Sequence, residues 1–302
     1  MKSSNRPALP VRLKADLLLL FVTLLWGSAF VVMRVAAGHG MVFLLNGSRF
    51  LLGGLLLLPF VKLKGVFSRA SLPFVGLAGL ALFAGVAFQQ SGLATTTAGN
   101  AGFITSLSVV VVPFILWIGW RERPSRLVGA AALLAAAGAF LLSAGGRFTV
   151  RTGDVLILVG TFFWALHIVI VGKGQGGIAP LPFAVGQYFV CGLLSLAAGA
   201  LLERPSWSDA VFVLPAVIYT AVFSIAIGFT IQVTAQKHTP PADAALILSL
   251  EGVAAAVFGW LFIGEGMSAV QLAGCALILA AVALAQVRPE MVKYRKGKAG
   301  AK

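Results

Sequence analysis

The chain has 302 residues, 59% apolar or aromatic and 11% charged, with 23 Lys and Arg against nine Asp and Glu for a net charge of +14. Soluble domains carry about 25% charged residues, whereas ten runs of roughly 20 apolar residues, each able to cross ~30 Å of hydrocarbon, would fill about two thirds of this length. The numbers exclude a soluble enzyme, a disulfide-stapled module and a disordered chain, and they point to a polytopic membrane protein.

Arg12 and Lys14 precede an apolar run reaching about Ala37, longer than the core of a secretory signal. It reads as an uncleaved first span over 15–37. Further runs bounded by Pro, Gly or charge give spans near 41–61, 71–91, 96–119, 126–145, 153–172, 180–201, 210–235, 241–263 and 268–287. The expected fold is all-α, with ten transmembrane helices and short loops.

The cations alternate between the two sets of loops. Eighteen fall on one side, among them Lys2, Arg6, Lys62, Lys64, Arg69, Arg121, Arg123, Arg126, Lys173, Lys237 and the tail from Arg288; Arg34, Arg147, Arg151 and Arg204 fall on the other. Retention of positive loops places both termini in the cytoplasm, with the basic tail near anionic headgroups. That tail has Tyr294 as its single aromatic residue, so no nucleic-acid partner is expected. Cys191 and Cys275 sit in apolar runs without partners at metal spacing and read as packing residues.

An internal repeat is visible. Asp16, Thr23 and Trp26 recur as Asp154, Thr161 and Trp164, offset by 138; Arg49-Phe50 and Gly53 align with Tyr188-Phe189 and Gly192, offset by 139. Gln89, Asn100, Ser106 and Glu122 align with Gln232, Asp243, Ser249 and Glu265, offset by 143. The expected halves are 1–147 and 148–302. Five spans each is an odd number, so the second half is expected upside down relative to the first, a recurring arrangement of secondary transporters.

Polar groups inside the spans are functional candidates, because an unpaired charge there costs at least a few kcal/mol. Trp26 and Trp164 lie at mid-depth instead of in the interfacial belt; they would stack on an aromatic or cationic ligand or pack helices. Arg49, ~12 Å into the second span, would hold a carboxylate with its bidentate fork or satisfy groups within the bundle. Gln89 and Asn100 lie near the outer ends of spans three and four, and Gln232 and Asp243 near the inner ends of spans eight and nine. These four would line both mouths, with capping as the alternative for Asn100 and Asp243.

His167 would shuttle a proton or hydrogen-bond within the core, and Tyr188 and Tyr219 would face a cavity or pack. Glu251, ~15 Å into the ninth span, would bind a substrate ammonium, take up a coupling proton, or serve packing. Asp16 and Asp154 read as helix caps, and Glu122 and Glu265 as loop or helix-end groups. Trp117, Trp120, Trp207 and Trp260 read as interfacial anchors. The many Gly and Ala residues allow close helix approach, in a moving carrier or a static bundle alike.

Trp26-Gly27-Ser28-Ala29-Phe30, Arg49-Phe50-Leu51-Leu52, Gly92-Leu93-Ala94-Thr95-Thr96, the run from Ala101-Gly102-Phe103-Ile104-Thr105 to Pro113 and Glu122, and the stretch from Gln236 through Glu251 to Glu265 together resemble the drug/metabolite transporter superfamily, in its EamA-type ten-helix branch. The resemblance implies a bacterial inner-membrane carrier of a small metabolite, such as an amino acid or drug-like compound, with export as the common direction. It also implies a central path bordered by spans three, four, eight and nine, with the tryptophans contributed by spans one and six. In many relatives a proline follows the glutamate of span nine; here Gly252 does, which puts a proline-dependent kink in question.

No phosphate-binding loop is present, and His39, His167 and His238 lie on separate segments. Neither an enzyme, a metal site nor a cofactor is expected. The alternatives to a carrier are a lipid flippase and an uncoupled channel. The expected partners are a small-molecule substrate, membrane lipids and a coupling proton.

Overall fold

The computed structural model describes residues 10–61, 72–96, 98–144, 151–174, 178–264 and 266–286, which are helical with no strand among them. The tails, the segments carrying Lys62, Lys64, Arg69 and Arg147, and Glu265 lie outside the described residues. The helices are α1 (Val11–Ala36), α2 (Val42–Leu57), α3 (Leu72–Leu93), α4 (Ala98–Ser106), α5 (Ser108–Trp120), α6 (Arg126–Ala144), α7 (Thr152–Gly174), α8 (Pro180–Leu202) and α9 (Trp207–Tyr219). A π-helical stretch, Thr220–Phe229, then leads into α10 (Thr230–Ala235), followed by α11 (Pro241–Leu248), α12 (Glu251–Ile263) and α13 (Ala269–Gln286).

Among the described residues seven helical stretches are long and apolar enough to cross a membrane, while Ile104–Trp120, Arg126–Leu142 and Ala269–Leu284 are apolar but shorter. Large apolar side chains such as Leu17, Phe21, Leu77, Phe162 and Leu193 stand exposed on the outside, as the lipid-facing surface requires. The chain is a multi-pass membrane protein.

Helix α1 starts at Val11, earlier than expected, because the long stems of Arg12 and Lys14 are compatible with a helix end. Asp16 therefore lies in the second turn and is not a cap. Asp154 does accept the backbone N–H of Arg151 at the start of α7, 2.8 Å away.

The fourth and ninth expected spans are each broken near their middles, at Leu107 and at Ser249-Leu250. In both, a serine hydroxyl turns back onto its own helix: Ser106 Oγ donates to the Gly102 carbonyl and Ser249 Oγ to the Leu246 carbonyl, each at 2.7 Å. Such back-bonding competes with the backbone ladder and bends helices. Pro113 removes a further backbone donor from α5. The chain thus breaks beside Glu251 without a proline there. The two broken helices cross at their breaks, where Gly102 meets Gly252 and Ser106 Oγ also reaches the Ser249 carbonyl at 3.3 Å.

The halves do not form separate bundles. Helix α3 packs on α7, α2 on α8, α1 on α12 and α6 on α13, so every major seam joins a helix from one half to one from the other. Along α1, a Cβ on Gly27 would lie 2.8 Å from α12 backbone atoms; the helices touch there because glycine has no side chain.

The polar contacts collect at two ends. Arg12 pairs with Asp16 and Asp243, Thr239 Oγ1 donates to Asp16 at 2.7 Å, and Lys173 pairs with Glu122. At the opposite end Arg34 donates to the Leu93 carbonyl at 2.9 Å, His39 meets Asp209 at 2.9 Å, and Glu203 accepts the Phe43 and Leu44 N–H groups at the start of α2.

Candidate functional site

A cavity lies between these ends, with walls from α1, α2, α3, the α4–α5 break, α7, the π-helical stretch, α10 and the α11–α12 break. Its volume is about 70 Å³, small beside the ~300–1,000 Å³ of pockets that enclose drug-sized ligands. In this arrangement it admits a small molecule only.

Two ionisable side chains stand on its wall. Arg49 is buried, donates from Nε to Asn46 Oδ1 at 3.0 Å, and lies with its guanidinium carbon 5.3 Å from the Phe50 ring centroid. Asn46 is itself held by the Val86 carbonyl at 3.3 Å, so the fork is positioned from two helices. Glu251 is buried at the first position of α12, immediately after the break. Among the described residues neither Arg49 nor Glu251 forms an ion pair, with the other or with any third group.

Trp26 and Trp164 also line the cavity, but they do not face each other across open space. Phe229 sits between them, 4.6 Å from the Trp26 ring centroid and 5.8 Å from that of Trp164, nearly parallel to the latter at 13°. The π-helical stretch explains how Trp26 is held: such a widened turn displaces backbone carbonyls, and Trp26 Nε1 donates to that of Ser224 at 3.3 Å. Trp164 Nε1 and Gln232 Oε1 are buried without a partner among the described residues, and both belong to residues of the cavity wall. Buried polar atoms are nearly always satisfied, so these two mark positions where water or a ligand completes the set.

Gln89 is on the wall and donates to Thr105 Oγ1 at 3.3 Å. Asn100 lies on α4, but its side chain is outside the described residues. His167 and Tyr219 stand off the cavity wall. His167 is fully buried, with Nε2 donating to Gln187 Oε1 at 2.9 Å; Tyr219 shares a 2.7 Å hydrogen bond with Ser28 Oγ and packs on Phe223. Tyr188 is buried and bonded to Thr230 at 3.0 Å. Cys191 and Cys275 are free and buried.

Gln90, Thr105, Ser108, Ser224 and Phe229 are wall residues that the sequence reading did not single out. A signal existed for Ser108, which stands 143 residues before Glu251 and is its counterpart in the repeat. Phe229 and Gln90 look like ordinary span residues and carried no such signal.

Comparison with known proteins accords with this architecture. The EamA-like transporter family matches the chain twice, over residues 13–144 and 151–286. An uncharacterized transporter of Archaeoglobus fulgidus is 35% identical over 92% of this chain and 87% of its own length. The uncharacterized inner membrane transporter YedA of Escherichia coli is 27% identical over 86% of this chain and 87% of its own. The threonine/homoserine exporter RhtA of Salmonella typhimurium is 29% identical over 43% of this chain and 44% of its own. One solved crystal structure, 20% identical, shares the fold with a TM-score of 0.73 over 90% of this chain and 96% of that one.

Proposed function

We infer that this chain, which belongs to the EamA-like transporter family, is a secondary carrier that exports a small zwitterionic metabolite across the bacterial inner membrane by alternating access. The observation that carries the reading is one cavity, walled by both matched halves, on which the Arg49 guanidinium and the Glu251 carboxyl group stand without an ion-pair partner among the described residues. Buried charges are costly unless paired. A ligand bearing a carboxylate and an ammonium would neutralise both, the first on the guanidinium fork and the second on Glu251. Phe229 and the two tryptophans would hold its apolar part.

The small volume favours an amino-acid-sized ligand over a larger drug-like one. The similarity to YedA, an inner membrane transporter, and to RhtA, a threonine/homoserine exporter, supports an inner-membrane exporter. In this reading the polypeptide crosses the membrane ten times, residues 1–147 and 148–302 are inverted repeats, and the end holding Arg12, Lys173 and Asp243 faces the cytoplasm with both termini. Glu251 also takes up the coupling proton when the ligand leaves, so one carboxylate alternates between two cations.

The test is flux in liposomes over a panel of small zwitterions, with and without an imposed pH gradient. Glu251→Gln is expected to lower flux at least about tenfold, the size of one lost charge-assisted contact, and to remove the response to the gradient while the protein stays folded. Unchanged kinetics and pH dependence would reject the role.

A further inference from the structure

Two buried hydrogen bonds repeat the internal symmetry of the chain at opposite ends of the molecule. Thr239 donates to Asp16, and Thr96 donates to Asp154. Thr96 and Thr239 are 143 residues apart, the offset that also relates Ser106 to Ser249, and Asp16 and Asp154 are 138 apart. All four residues are buried. Each bond runs between the halves: the link after α10 ties to α1, and the link after α3 ties to α7. A carboxylate accepting a buried hydroxyl is a strong contact, and losing one partner would strand the other in a low-dielectric setting.

Both bonds also lie where packing is continuous. Helix α1 runs along the π-helical stretch, α10, α11 and α12, while α7 runs along α3, α4 and α5. Beside Thr96 and Asp154 the backbones of α3 and α7 meet directly at Gly92 and Gly153. Between these two groups, α4 and α12 cross near their helix breaks, at Gly102 and Gly252, and α7 meets the start of α11 at Gly172 and Pro241.

We propose that the two Thr–Asp bonds are permanent staples, so that the bodies which move are assembled across the halves: α1 with the α9–α12 hairpin, and α7 with the α3–α5 hairpin. The crossing of the two broken helices is the pivot between them. Mid-helix 3₁₀ or π irregularities mark hinges, and both hinges sit on the cavity wall at Ser108 and Glu251. Each staple carries the motion of one half's hairpin into the other half's first helix. The inference rests on the alternating-access reading and specifies what moves in it.

The experiment reads geometry and needs no identified substrate. Thr105→Cys, on the cavity wall, is labelled with a membrane-impermeant maleimide from either face of oriented vesicles. Disulfides are then formed in Asp16→Cys/Thr239→Cys, in Thr96→Cys/Asp154→Cys and in Gly172→Cys/Pro241→Cys, and each is released by reductant. With either staple linked, labelling from both faces is expected to stay within about twofold of the unlinked protein. With Gly172 and Pro241 linked, labelling from one face is expected to fall at least about tenfold, the mark of a population held in one state, and to return on reduction.

Loss of labelling from one face when a staple is linked would overturn the inference while leaving the carrier reading intact. Labelling of the unlinked protein from one face alone would overturn both. If the staple variants express poorly, Thr239→Ser and Thr96→Ser keep the hydroxyl and are expected to retain two-faced labelling; its loss in them would equally count against permanent staples.

Discussion

Arg49 and Glu251 gain their importance from what surrounds them more than from their depth. Here a guanidinium and a carboxyl group share one small cavity without pairing among the described residues. Trp26 and Trp164 play a different part, since Phe229 bridges them, and an aromatic contact is worth about 0.5–1.5 kcal/mol beyond burial. Trp164→Ala is therefore expected to raise the KM for zwitterions with aromatic side chains by several-fold, up to about tenfold, and for aliphatic ones by less. Trp26→Ala should do the same and also disturb the π-helical stretch that holds its indole. Equal losses for both ligand types would assign the two indoles to packing alone. Trp26, Trp164, Arg49 and Glu251 were legible in the sequence because polar or aromatic groups at mid-depth stand out against apolar neighbours. His167 and Tyr219 stood out in the same way, yet they bond to Gln187 and Ser28 away from the cavity; depth gives no azimuth around a helix.

At the scale of helices, two contacts carry stability in ways that mutation can separate from transport. A methyl group on Gly27 would press on α12 backbone that cannot swing away. Gly27→Ala is expected to destabilise by ~1–3 kcal/mol, as overpacking does, while Gly38→Ala, with nothing within 4 Å, is expected to be neutral; melting in detergent compares them. The Glu203 carboxylate accepts two N–H groups at the start of α2, at 2.7 and 2.8 Å, where the helix dipole favours negative charge. Glu203→Ala should lower stability by ~1–3 kcal/mol, and an unchanged melting point would show that water replaces it fully. The helix runs themselves were readable from apolar length. Their breaks at Leu107 and Ser249-Leu250 were not, because no Gly or Pro sits at either point and the cause is a serine hydroxyl turning onto a carbonyl.

Across the whole molecule, sequence offsets identified two related halves but not how they interlock. Periodicity and hydropathy report how long a helix is and how deep a residue lies; they say nothing about which helix becomes its neighbour. The pairing of α3 with α7, α2 with α8 and α6 with α13 makes the cavity a product of both halves, and this is why groups as far apart in the chain as Arg49 and Glu251 reach one space.

That convergence is tested most directly by matching changes in the ligand to changes in the wall. Flux of one small zwitterion, its methyl ester and its deaminated acid is measured in liposomes for the wild type, Arg49→Gln and Glu251→Gln. Removing the carboxylate's charge should reduce wild-type flux strongly but scarcely affect Arg49→Gln, and removing the amine should reduce wild-type flux but scarcely affect Glu251→Gln. Losses that simply add, whichever ligand meets whichever variant, would contradict the claim that these two side chains hold the two ends of the transported molecule.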